Sequence, residues 1–253
     1  MGDWAPLLSL LACFVLLLLI NRWISQHLQG VGLLLTGSEE ASFYFYFIVL
    51  FPGILLHELS HWLMAKLLGL RTGRIRLWPT KKGRGKYLSL GSVEVAKSDP
   101  LRDSLVGLAP LLMGCGVLLL VSHYVFDVQG LFIKSWGDGL NGVWAKLKGW
   151  LAEKDFWMWL YLIFCVSNAM MPSAKDREPW KPVLIFLGLV AAGFYLSGWF
   201  PHIPASIEKL AREWALSLAY SLGFVVLIDF VWAVALGTFE KALELATGRR
   251  ILY

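Results

Sequence analysis

Apolar residues in this sequence gather into blocks of about twenty, the length an α-helix needs to cross a bilayer. The 253-residue chain is 57% hydrophobic and 16% charged, with a mean hydropathy of +0.62. Soluble domains carry roughly 25% charged residues, so one water-soluble core does not account for this excess. The blocks predict an all-α polytopic membrane protein of about six transmembrane helices, near 6–24, 43–68, 105–126, 156–171, 183–200 and 214–236. All of 1–253 reads as one integral membrane domain, with a core over 43–176 and two additional spans over 183–236. Thirteen Trp and eight Tyr fit membrane–water interfaces, which favour amphipathic rings.

Loop charges orient the spans. Arg71, Arg74, Arg76, Lys81, Lys82, Arg84, Lys86, Lys97 and Arg102 follow the second block, and positive loops stay in the cytoplasm. Lys175, Arg177, Lys181, Arg249 and Arg250 agree, and six spans then put both termini there. The net charge of +5 is read as this bias, with anionic headgroups beside the basic loop. No basic-aromatic module points to nucleic acid. Asp3 and the lack of Lys or Arg before the first block make it a retained span rather than a cleaved signal. The expected location is a bacterial or archaeal cell membrane. Cys13, Cys115 and Cys165 lie far apart in apolar blocks and form no CxxC, which suits small buried hydrophobes.

The basic loop carries strand signals. "RIRLWP" and "KYLSLGSVEV" flank the turn-rich "TKKGRGK", with Leu88 and Leu90, then Val93 and Val95, at alternating positions. Gly91 shifts the alternation as a bulge would. The expectation is a membrane-proximal β-hairpin. Farther along, Val143, Leu147, Trp150 and Leu151 share one helical face, as in a short interfacial amphipathic helix.

Within the second block stands His57-Glu58-Leu59-Ser60-His61. Ionisable groups at membrane depth cost on the order of 2.5–3.5 kcal/mol each on insertion scales and mark function by default. Residues four apart share a helix face, so His57 and His61 can ligate one metal ion, with Glu58 as general base. Zinc is the expected ion, and its chemistry is peptide hydrolysis. Pro52 and Gly53, one turn earlier, bend the helix. A catalytic zinc usually has three protein ligands. His27, placed in the first connection, and His123 and His202, near the opposite face, suit ordinary interfacial positions. Asp176 and Asp229 both fall on the cytoplasmic half and remain the candidates.

HELSH in an apolar block, followed by Asn168-Ala-Met-Met-Pro172-Ser-Ala-Lys-Asp176, resembles the site-2 protease family of intramembrane zinc metalloproteases. That family carries HExxH in one helix and NxxPxxxxDG in a later one. Asn and Asp keep the family's separation here; Pro172 is displaced by one, and Arg177 replaces the Gly. "GLAPLLMG" around Ala109 and Pro110 is similar to the small-residue and Pro element between the two motifs. The resemblance spans roughly 43–176. It implies one zinc held by His57, His61 and Asp176, catalysis by Glu58, and a membrane-anchored protein substrate cut near the cytoplasmic face. It further implies Asn168 near the substrate backbone, and Leu88, Leu90 and Val93 on a strand that holds the extended substrate by β-augmentation. A proteolytically inactive scaffold or chaperone that binds transmembrane segments and keeps the metal is the rival from another class. A zinc carrier, and an enzyme with Glu178 as third ligand, are lesser alternatives.

Overall fold

The computed structural model describes residues 4–82, 87–131, 139–198 and 204–251, and of residues 80–82, 87–89 and 140 the backbone alone. Helix α1 (Ala5–Thr36) ends where Gly37 turns left-handed (φ 67°), a conformation open to glycine. Helix α2 (Glu39–Val49) starts at Ser38, whose hydroxyl accepts from the Ala41 N–H, with Glu39 and Glu40 in its first turn. That cap and those charges suit the exposed donors and positive pole of a helix start. Helix α3 (Phe51–Leu67) follows after one residue at an angle of 77°. The single span expected over 43–68, with a bend at Pro52 and Gly53, is therefore two helices. Pro52 has no N–H for the Ile48 carbonyl, and its ring collides with that carbonyl, so the helix stops and restarts in a new direction.

Strands β1 (Thr72–Arg76), β2 (Thr80–Lys82), β3 (Tyr87–Ser89) and β4 (Ser92–Val95) come next. β1 pairs antiparallel with β4 and β2 with β3. Arg76 faces Ser92 and Thr80 faces Ser89, so residues 77–79 lie opposite 90–91. The expected hairpin is present as two short sheets, and its irregularity falls at Gly91. A second register shift, between Thr72 and Ile75, had no sequence signal. The turn at 83–86 and the side chain of Leu88 lie outside the described residues, as does His202.

Helix α4 (Pro100–Tyr124) is capped by Asp99, which accepts from the N–H groups of Arg102 (3.0 Å) and Leu101 (3.1 Å). The Arg102 N–H above all holds the Asp99 carboxyl below its ordinary range. The single turn α5 (Val128–Gly130) and helices α6 (Gly139–Ala152), α7 (Phe156–Ala169), α8 (Ala174–Arg177), α9 (Trp180–Ser197) and α10 (Ala205–Thr247) complete the fold. In α6, Val143, Leu147 and Trp150 pack on the core, whereas Leu151 is 57% exposed. Trp150 Nε1 donates to the Phe126 carbonyl (3.1 Å).

Among the described residues, four helical stretches are long and apolar enough to cross a membrane: α1, α4, the run 174–197 and α10; the bent α2–α3 pair would make a fifth if it crosses. The apolar α7 has 14 residues, fewer than the roughly 20 of a full span. α1 and α10 lie side by side and point the same way. The Cys13 thiol meets the Ala219 carbonyl (3.7 Å), Trp23 covers Gly237, and His27 pairs with Glu240. One expectation changes: His27 is inside α1, stacked on Trp23 (3.7 Å between centroids), not in a connection.

Candidate metal centre

α3 carries His57 and His61 one turn apart, and both imidazoles turn the same edge outward. Their Nε2 atoms lie 3.1 Å apart. Asp176 Oδ1 is 3.4 Å from His61 Nε2, and Oδ2 is 3.7 Å from His57 Nε2. His57 Nδ1 is 2.7 Å from the Ala169 carbonyl oxygen, and His61 Nδ1 is 2.8 Å from that of Val106. A carbonyl only accepts, so each Nδ1 carries the proton and each Nε2 presents a lone pair. Two lone pairs and a carboxylate oxygen thus converge, an arrangement that a cation stabilises. Tetrahedral coordination with bonds of about 2.0–2.1 Å puts donor atoms about 3.3–3.4 Å apart; the two Nε2 atoms are 3.1 Å apart, each faces a different Asp176 oxygen at 3.4–3.7 Å, and one donor atom from each residue lies within 4.8 Å of the others. Among the described residues, His57, His61 and Asp176 are the group that could hold a metal ion.

Local chain features hold each of these side chains. Ala169 ends α7, where helix carbonyls lack intrahelical donors. Asp176 sits in a reciprocal capping box: the Ser173 N–H donates to its Oδ2 (2.8 Å) and the Asp176 N–H donates to Ser173 Oγ. The "SAKD" spacing was the readable signal for this box. Arg177 stands in helical backbone within α8, and the one non-glycine residue with positive φ among those described is Asp127. No glycine is needed after the aspartate here.

Two glycines let the elements meet. A methyl group on Gly53 would lie 1.9 Å from the Cys165 carbonyl oxygen, and one on Gly107 would lie 2.0 Å from the Asp176 carbonyl oxygen. The first sets α3 against α7; the second sets α4 against the loop that bears the carboxylate. Gly107 opens the "GLAPLLMG" element, but its partner, 69 positions away, had no sequence signal.

Asp229 lies elsewhere. It is fully buried, and its Oδ1 accepts from Ser167 Oγ (3.0 Å) and Asn168 Nδ2 (3.4 Å). Asn21 Nδ2 donates to the Ser167 carbonyl (2.9 Å), so α1, α7 and α10 share one polar knot behind the histidines. Asn168, 5% exposed, is a member of this knot. Glu178 is exposed beyond α8 and outside the ligand group.

Glu58 is 8% exposed, and the hairpin covers it: a methyl group on Gly91 would lie 2.8–3.0 Å from its side chain. Neighbouring hairpin residues anchor this contact. Leu90 joins the cluster of Tyr46, Phe47 and Ile54, Trp78 meets Phe47 edge-on (5.4 Å), and Val95 packs beside Ala65 and Val106. Val93 is half-buried and pairs with Ile75. β4 has β1 as its one strand neighbour among the described residues. Cavities of ≈ 760 Å³ between α1 and α10 and ≈ 570 Å³ between α4 and α6 are lined by neither Glu58 nor the three ligands.

Comparison of the chain with protein-family models, curated proteins and solved structures returns no match.

Proposed function

We propose that this chain is a zinc-dependent intramembrane endopeptidase acting on membrane-anchored proteins. The observation that carries the reading is the convergence of His57 Nε2, His61 Nε2 and the Asp176 carboxylate beside a buried glutamate, in a chain of apolar helices. Three ligands leave a fourth position open, as catalytic zinc requires. Bound zinc would polarise the scissile carbonyl and acidify water. Glu58 takes the proton from the attacking water and hands it to the leaving amine. The low exposure of Glu58 and both histidines keeps bulk water from competing. The edge of β4 away from β1, without a strand partner among the described residues, offers backbone groups to an extended substrate, with Leu90 and Gly91 over the reacting centre. Asn168 supports the site from the polar knot rather than from the substrate side. The experiment is cleavage of single-span membrane proteins in lipid vesicles. Wild type should cut, Glu58→Gln should not, and equal cutting by both would defeat the reading.

We also propose a membrane arrangement, which the helix contacts support. α1 and α10 are parallel, so the start of α1 and the end of α10 face opposite sides. α2 runs back along α1, with Ser42 Oγ donating to the Gln29 carbonyl (2.6 Å) and Tyr46 beside Ser25. α3 then returns beside α4 toward Val106. We read α2–α3 as a re-entrant elbow and α1, α4, α9 and α10 as full crossings, with the shorter α7 bringing the chain back inside the bundle, the basic loop and Arg249 being cytoplasmic. Reporters fused before α1 and after α10 should mark opposite faces; the same face for both contradicts this.

A further inference from the structure

We propose that Pro110 is a positioning residue for the metal centre, acting through the Val106 carbonyl on His61. The inference rests on the metal-centre reading above. In an α-helix the carbonyl of residue 106 bonds to the N–H of residue 110. Residue 110 is a proline inside α4; it has no N–H, and its ring pushes the carbonyl four residues back off the helix axis. The Val106 carbonyl is buried and has lost its intrahelical donor, a costly state for a polar group. It receives one from another helix: His61 Nδ1, at 2.8 Å.

The consequence reaches the ligand atom. The proton held on Nδ1 leaves the lone pair on Nε2, aimed at His57 Nε2 and Asp176. Such outer partners set the tautomer and orientation of ligating histidines, and losing one costs about 10–100-fold in metal affinity. The two histidines are thus oriented by two different helix defects. His57 uses the open C-terminal end of α7, and His61 uses a proline gap in the middle of α4.

Pro110→Ala restores the N–H, which draws the Val106 carbonyl back onto the helix axis and away from His61. The test is titration of the full-length purified protein with cobalt(II), reading the visible d–d bands, alongside thermal unfolding. Pro110→Ala should melt no lower than wild type, since alanine suits a helix interior. It should nevertheless bind cobalt about 10–100-fold more weakly, with shifted bands. That split separates positioning from a general structural role, which would move both readouts together. Wild-type affinity and bands in a folded Pro110→Ala overturn the proposal. Should that variant not fold, Pro110→Gly restores the same N–H without a side chain and is judged by the same criteria. A wild type that binds no cobalt removes the metal centre itself, and this role with it; a wild type that binds while the variant is unchanged removes this role alone.

Discussion

Glu58→Gln is expected to lower the cleavage rate by about 10²–10⁴-fold, the span that a positioned general base contributes, while the metal stays bound. Glutamine keeps the length and shape of glutamate but cannot take up a proton. The group that could hold a metal ion is His57, His61 and Asp176, so the substitution leaves that set intact. Glu58 is 8% exposed and lies under Gly91, and an isosteric side chain keeps that packing. The initial rate in vesicles, metal content and melting temperature should be read on one preparation. A large loss of rate with the other two unchanged is the expected pattern. Loss of metal or of stability would instead show Glu58 to be part of the framework.

Gly53→Val is expected to cost at least about 3 kcal/mol of stability, the high end for overpacking, and to lose metal as well. A methyl group at Gly53 would stand 1.9 Å from the Cys165 carbonyl oxygen, 2.5 Å from its carbon and 2.8 Å from Ala169 Cβ. Two of these three atoms are backbone, so no rotamer change relieves the clash, and α3 must move off α7. Ala169 also supplies the carbonyl that orients His57, so the same shift spoils the ligand. Gly188→Val is the control, since nothing lies within 4 Å of a methyl group there. Melting of both variants in detergent, with metal content, checks this. A Gly53→Val protein as stable as the control would contradict the close helix approach.

The two histidines were legible because helical periodicity alone puts residues 57 and 61 on one face. Asp176 needed more: a carboxylate on the same half, and a motif spacing only partly kept. The capping box that aims it, Ser173 to Asp176, was present in the sequence and went unread. The hairpin was visible in its alternation, and Gly91 did mark the irregularity. That Gly91 rests on Glu58 was not visible, because packing across 33 positions leaves no local pattern. The same holds for Gly53 and Gly107, whose importance lies in partners the sequence does not name. Pro52 announced a bend; whether it meant a kink or a 77° elbow depends on what α2 and α3 pack against. The parallel course of α1 and α10 was hidden most deeply, since hydropathy counts blocks and says nothing of their neighbours.

Catalysis, positioning and substrate cutting all depend on His57, His61 and Asp176 holding a metal ion. Elemental analysis of purified protein, wild type beside Asp176→Ala, tests it most directly. About one zinc per chain in the wild type and much less in the variant is the predicted result. A wild type without metal, or a variant that keeps its full complement, would contradict it.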